Sequence, residues 1–510
     1  MKFTSTVAGA SIFIALMSVF GRGIGFIREI IYASYFGTFE EFEVYLIGAV
    51  LPLTISTSIY YISQNYFIPE YNRYIDLRSG DAHDFVNRIF WIFILIGVLI
   101  SIILYVFIDP IIDFYVGEMS ESSRELTINT FTIFLFTIPL TAGIAVLSVF
   151  LESEFEFIHP SVSRLVLNVS TILFVLFLGK QIGVIIIAIG YLSGTIFQLV
   201  YLLLKVRLKI INPLKVSFNN REKISAVFSF SMLSIILIEI ISQLYAIFDR
   251  YFYNEISSGG IAALNYAQTI FLLPVGIFSA ALSTVIFPKL STALKENSNE
   301  VTKFLLQEST LITLFLFIPF SFMFLNYSSD IINMIYERGN FNELSTSQTA
   351  SALQLYAIGL VFYGVYAILN KIFYSMGYVK TLLFITFLGL LIKFCLNFIL
   401  VEALGHRGLA IATSISYIFF FVSCFLFLNF KLHLKLNLVF MTEFTLMLIN
   451  AGLSLLITEL VIDGVISISS IIFIIKLIFF NGVFVLNLFV INHRISQVLR
   501  DVYNRLKNKS

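Results

Sequence analysis

The sequence predicts an all-α polytopic membrane protein, and three observations predict it. Hydrophobic residues fill 58% of the 510 positions and charged residues only 12%, about half the roughly 25% of a soluble domain. Apolar stretches of some twenty residues recur along the whole chain, the length a helix needs to cross about 30 Å of hydrocarbon. Lysine and arginine crowd into alternate connecting segments, which is the bias that orients membrane helices.

Fourteen spans follow in order: Thr6–Tyr35, Phe42–Tyr66, Phe85–Phe107, Ile128–Leu151, Pro160–Leu178, Ile182–Leu204, Ile224–Ile247, Ile261–Phe287, Phe304–Leu325, Ala350–Ser375, Thr381–Val401, Gly408–Asn429, Met441–Leu460 and Ile466–Ile491. An even number puts both termini on one side. With that side cytoplasmic, 23 of the 32 Lys and Arg, Arg164 among them, fall inside, five fall outside, and Arg22, Arg28, Lys393 and Lys476 lie within spans. The N-terminal apolar run reads as a retained first helix, because no small-residue cleavage site follows it.

The most basic loop, Lys205–Lys223, follows the sixth span. It divides the chain into an N-terminal six-helix lobe (1–204), a basic cytoplasmic linker (205–223), a C-terminal six-helix lobe (224–430), an added helix pair (431–492) and a basic cytoplasmic tail (493–510). The lobes are weakly alike: each second span carries Leu-Pro and is expected to end at a proline, Leu51-Pro52 to Pro69 and Leu273-Pro274 to Pro288. Two similar lobes around a central cavity suit alternating access. Pro52, Pro139, Pro274 and Pro319 inside spans serve either as hinges or as packing kinks.

Several classes are unsupported. A net charge of +1 gives no footing to nucleic-acid binding. Cys395 and Cys424 both lie in apolar stretches, so no disulfide framework is expected. Lys180 follows Gly179, but Gln181 stands where a phosphate-binding loop needs Ser or Thr. The five histidines lie at loops or span ends, without metal-ligand spacing. No enzyme, cofactor or metal centre is expected.

Charge inside the membrane is the more informative signal. An arginine at the centre of a membrane helix costs roughly 2.5–3.5 kcal/mol on insertion scales. Arg22 and Arg28, with Glu29, nevertheless sit in the first span, in GRGIGFIRE. Six residues apart, they point about 120° away from each other on a straight helix. Gly21, Gly23 and Gly25 would let the helix bend or unwind and bring them together. One reading has at least one arginine lining a cavity for an anionic cargo. The other has Arg28 snorkelling and Arg22 paired to an acid in the bundle.

Depth counting at about 1.5 Å per residue brings Glu239, Lys393, Asn397 and Thr413 to a common level. They form either an ion-coupling site or a structural pair of Glu239 with Lys393. Gln243, Asn265, Gln268 and Asn370 would line a sugar-binding cavity or bond between helices. Lys476, in the last span, either snorkels or serves a groove on the added pair.

At these residues a family resemblance emerges. GRGIGFIREIIYASYFG with Leu51-Pro52, Tyr266-Ala267-Gln268 through LLPVGIFSAALSTVIFPKLS, ERGNFNELSTSQTASALQLYAIGLVFYG and GHRGLAIATSIS (Gly405–Ser416) resemble, in order over twelve spans, lipid II flippases of the MurJ/MviN type. The resemblance implies a fourteen-helix transporter of the multidrug/oligosaccharidyl-lipid/polysaccharide exporter superfamily. It would have a V-shaped central cavity and a groove on the last two helices for a polyprenyl tail.

The family's first-helix arginines match Arg22 and Arg28, and its acidic gate residue matches Glu43. Ser56 and Thr269 stand where the family has two further cavity arginines, and Gln268 replaces an acidic neighbour. Glu239, Lys393, Asn397 and Thr413 fall where some members bind a coupling sodium ion, and a lysine there would repel one.

The reading is therefore a flippase for an undecaprenyl-diphosphate-linked saccharide, lipid II first, in the bacterial cytoplasmic membrane. It acts as a monomer coupled to a sodium or proton gradient or to the membrane potential. The alternatives are a flippase for an exopolysaccharide or O-antigen unit and an ion-coupled exporter of small amphipathic solutes.

Overall fold

The computed structural model describes residues 7–77, 79–116, 119–206, 211, 230–295, 299–432, 436–462, 470–490 and 495. Most of the basic linker (205–223), nearly all of the tail (493–510) and the first six residues lie outside these. Among the described residues there is no strand.

The helices in order are α1 (Val7–Phe36), α2 (Glu40–Leu77), α3 (Ser79–Val106), α4 (Ile108–Val116), α5 (Glu121–Leu135), α6 (Thr137–Ser153), α7 (Ile158–Ile182), α8 (Ile186–Val206) and α9 (Phe230–Tyr251). After a short 3-10 turn, Tyr253–Glu255, come α10 (Gly260–Lys295), α11 (Asn299–Asn326), α12 (Ser328–Tyr336), α13 (Glu343–Ser375), α14 (Val379–Leu404), α15 (His406–Leu432), α16 (Leu436–Ile462) and α17 (Ser470–Val490). Over the described residues twelve spans are long and apolar enough to cross a membrane, α5 and α6 together forming one of them. The fourteen expected from the sequence also count the long helices α1 and α9.

Three local expectations change. The second span of each lobe does not stop at its proline: α2 runs 38 residues through Pro69, and α10 runs 36 through Pro288. Proline removes one hydrogen bond, which a membrane helix tolerates when neighbours re-satisfy the freed group. Pro139, in contrast, sits just past a break at Phe136. The carbonyl it strands, on Leu135, accepts 2.8 Å from the Ser101 hydroxyl of α3. Gly97, one turn before Ser101, lets the Pro139 backbone approach closely. The third change is two unforeseen nine-residue helices, α4 and α12, each following the third span of a six-helix set.

The described chain forms two compact units. The first comprises 1–266, 336–345 and 397–406, and the second the remaining residues. In the first, α1 packs on α7, α7 on α8, and α2 against α5, α6 and α9. Lipid is as apolar as leucine, so helices in a bilayer associate through close packing of small residues. Gly190 and Gly194 of α8 do this against Thr171, Phe174, Leu167 and Ser170 of α7. In the second unit α16 pairs with α17 and α11, and Asn450 donates to the Phe484 carbonyl at 2.9 Å.

Candidate substrate site

The site is built on α1. Its glycines do not unwind it: α1 is continuous from Val7 to Phe36, so Arg22 and Arg28 stay about 120° apart and form no single clamp. A Cβ at Gly23 or Gly25 would meet nothing within 4 Å, and at Gly21 only Leu165 of α7, at 3.9 Å. The glycines open space beside the arginines instead of bending the rod.

Arg28 is engaged. Its Nη2 and Nε lie 2.7 and 3.2 Å from Glu29 Oε1, its Nη1 donates 3.0 Å to Asn168 Oδ1, and its guanidinium carbon stands 5.5 Å from the Tyr32 ring centre. The side chain remains 24% exposed. Arg22 is exposed and has no ion-pair or hydrogen-bond partner among the described residues. Neither arginine matches the expectation of an Arg22–acid pair: the paired cation is Arg28.

Sequence reasoning missed the residues that α6 and α7 contribute. Asn168 fixes the Arg28 guanidinium, and Arg164, counted in the sequence with the cytoplasmic cations, lies one turn earlier in α7. Arg164 Nη2 stands 3.8 Å from Glu152 Oε1 of α6, and Glu152 also bonds the Gln64 side chain of α2. The signal was the four-residue spacing of Arg164 and Asn168, which puts both on one helix face.

The end of the same unit where α1 meets α2 is sealed. Glu43, 1% exposed, accepts from the backbone amides of Gly259 (2.8 Å), Ile261 (2.6 Å) and Ala262 (3.2 Å). It thereby caps the N-terminus of α10, where free amides and the helix dipole favour a carboxylate. Phe42 stacks on Tyr266 at 5.2 Å, whose hydroxyl donates to the Gly37 carbonyl at 3.1 Å. The Asn340 amide donates to the Ser34 carbonyl at 2.9 Å, and the Thr38 and Ser345 hydroxyls meet at 2.8 Å. Gly37 (φ 54°) and Gly339 (φ 61°) are required here, since a Cβ at either would strike a backbone carbonyl, of Asn340 or Ser34 respectively.

The remaining candidates are dispersed. Ser56 of α2 is buried, its hydroxyl unpartnered among the described residues. Gln268 and Thr269 are half-buried on α10. Glu239 accepts 2.8 Å from Gln243, one turn on. The carboxylate beside Asn397 is Asp249, at 3.3 Å, ten residues and so about 15 Å along α9 from Glu239. Depth counting therefore joined two levels of one helix. Lys393 is buried, and Thr413 donates to its own helix at the Leu409 carbonyl, 2.9 Å.

Cations lining one end of a helical membrane unit, with the other end closed by a capped helix, are parts a transporter of anionic cargo would use. The sequence model of the family described as lipid II flippase MurJ matches residues 62–489. The chain belongs to the MurJ lipid II flippase family. It is 28% identical over 422 residues to a probable lipid II flippase MurJ of Rickettsia prowazekii, covering 81% of this chain and 82% of that one. It is 26% identical over 453 residues to the lipid II flippase MurJ of Thermosipho africanus, covering 86% and 91%.

Among solved structures the fold resembles a lipid II flippase MurJ in an inward closed conformation, with TM-score 0.79 and 23% identity over 93% of this chain and 97% of that one. It also resembles an inward-facing multidrug transporter of the MATE family, with TM-score 0.65 and 16% identity over 81% and 94%. MurJ membership makes the protein a transporter, not an enzyme, and a multi-pass protein of the bacterial inner membrane.

Proposed function

We propose that this protein flips an undecaprenyl-diphosphate-linked saccharide from the inner to the outer leaflet of the cytoplasmic membrane by alternating access, with lipid II the first candidate substrate. The observation that carries the reading is a set of arginines inside the membrane, on α1, with solvent access and too few acids to neutralise them. Charges so placed are retained for function, and the planar guanidinium fork matches the oxygens of a phosphate group bidentately.

Arg22 and Arg28 hold the diphosphate, Ser56, Gln268 and Thr269 line the chamber, and release of Glu43 opens the outer gate. The lobes 1–204 and 224–430 rock against each other, and the pair at 431–492 takes the prenyl tail. A sodium or proton gradient, or the membrane potential, drives the cycle through Glu239, Lys393, Asn397 and Thr413. The protein works as a monomer with both termini cytoplasmic.

The test is complementation in a bacterium depleted of its lipid II flippase. The intact chain restores growth, and Arg22→Ala, present in the membrane at equal level, does not. Failure of the intact chain overturns lipid II as the cargo. One observation favours an exopolysaccharide or O-antigen unit in that event: the buried, neutral Ser56 hydroxyl offers sugar bonding where a charge would favour diphosphate.

A further inference from the structure

Arg164 sits where the site needs a second open cation. The contacts between α1 and α7 climb together: Gly21 faces Leu165, Arg28 bonds Asn168, Tyr32 bonds Thr171, and Tyr35 reaches Leu176. The two helices are therefore parallel. On parallel helices facing each other at Gly21 and Leu165, the next residue on one and the preceding residue on the other each turn about 100°. Starting from opposed directions, both end on the same side of the seam. Arg22 and Arg164 are that pair.

Asn168, three residues beyond Leu165, turns to the same side and brings the Arg28 guanidinium with it. The opposite face of α7 is apolar: Val162, Val166, Val169 and Leu173 line a groove free of charge. In a membrane helix that face meets lipid, so Arg164 is on the protein side.

Its charge is weakly committed. Arg28 and Glu29 meet at 2.7 Å, whereas Arg164 and Glu152 stand 3.8 Å apart, with the Arg164 side chain 52% exposed and Glu152 only 16%. Glu152 is mostly enclosed beside Gln64 and the arginine is half in solvent, so the arginine is the partner freer to move. Of the three arginines, Arg28 and Arg164 each meet one carboxylate, and Arg22 meets none among the described residues.

We infer that Arg164 is a third substrate-contacting cation, which forms with Arg22 a two-guanidinium clamp for a lipid-linked diphosphate, with Glu152 as its resting partner. The inference rests on the flippase reading above. Arg164 lies six residues, about 9 Å, into α7, and Arg28 lies a similar distance beyond Arg22 along α1. The anion meets the Arg22–Arg164 pair first, displaces Glu152 with shorter charge-assisted bonds, and then comes within reach of Arg28. Arg164 thus supplies charge that Ser56 and Thr269 do not.

The experiment measures binding of undecaprenyl diphosphate, and of neutral undecaprenol, to the purified full-length protein in detergent. Arg164→Ala weakens diphosphate binding about tenfold, the scale of one charge-assisted contact, and leaves undecaprenol binding unchanged. Arg164→Lys recovers most of the loss. Glu152→Gln, which keeps the shape for Gln64 and frees the arginine, tightens diphosphate binding two- to fivefold.

Equal diphosphate binding by intact protein and a folded Arg164→Ala overturns the inference and leaves the flippase reading standing. Weaker binding by Glu152→Gln overturns it too, and remains readable if Arg164→Ala does not fold. No preference of the intact protein for the diphosphate over undecaprenol removes the flippase reading, and the inference with it.

Discussion

Two carboxylates in the same compact unit, Glu43 and Glu152, are held in opposite ways. Glu43 is almost fully buried and takes three backbone amides at 2.6–3.2 Å. Glu152 has a side-chain amide and a guanidinium at 3.8 Å, itself half in solvent. Backbone amides belong to a helix end and cannot swing away, and the Glu43 carboxylate that meets them is enclosed, so the first contact is tied to the packing of α10 against α2. The second exchanges by rotation of one side chain. One end of the unit is built to stay shut until helices move, and the other is built to trade partners.

Breaking the seal gives the largest effect. Glu43→Ala leaves three amides at the α10 N-terminus without an acceptor, and a buried hydrogen-bonding group left unsatisfied costs about 1–3 kcal/mol. With both native cysteines replaced, Ser345→Cys places a thiol at a buried position within the seal. Adding Glu43→Ala should raise its labelling by a membrane-impermeant maleimide at least about tenfold. Unchanged labelling would mean the amides are not what holds the end closed.

Next comes the backbone contact beside it. Gly339→Ala places a Cβ against the Ser34 carbonyl at a positive φ; the left-handed conformation alone costs about 1–2 kcal/mol. A lower melting temperature than that of Gly377→Ala is expected, because Gly377 shares a positive φ (73°) but has open space around it. Equal melting of the two variants would show that the close approach at Gly339 is not under load.

At the exchangeable end, stability and function should separate. Arg22→Ala removes an exposed side chain, so melting should shift by no more than the roughly ±0.5 kcal/mol of a surface change, while complementation is lost. Asn168→Ala removes a positioning contact of Arg28 and leaves Glu29 to hold the guanidinium. It should weaken flipping less than Arg22→Ala does. The reverse order, measured as lipid flipping in vesicles, would move the first anion contact from Arg22 to Arg28.

Much of this architecture was legible because bilayer thickness imposes a length that a single chain displays. Fourteen spans could be counted, and intramembrane charges such as Arg22 and Arg28 stood out against apolar surroundings. The short helices α4 and α12 were not legible, since nine residues satisfy no such length rule and their partners, such as Arg124 bonding Asp109 and Asp113, lie across a turn. Arg164 was discounted because a cation near the inner end of a span satisfies the positive-inside bias whether or not it has another role. Its side of the seam follows only from which residue of α7 meets Gly21. Asp249 escaped for a similar reason: its neighbour Asn397 is 148 positions away.

The smallest effect concerns the last helix pair. Lys476 Nζ stands 5.2 Å from the Tyr327 ring centre, in the second compact unit, where Tyr327 also meets Phe473 edge-on. A cation over an aromatic ring contributes roughly 0.5–1 kcal/mol at accessible sites. Lys476→Met keeps the length of the stem and removes the charge, so melting should fall by about 2 °C or less. If the ammonium only snorkels, flipping in vesicles stays within about twofold of the intact protein. A loss beyond about tenfold, with melting unchanged, corresponds to more than 1.4 kcal/mol of lost ligand contact. That result would place a working cation on the added pair and end its reading as an apolar cradle for the prenyl tail alone.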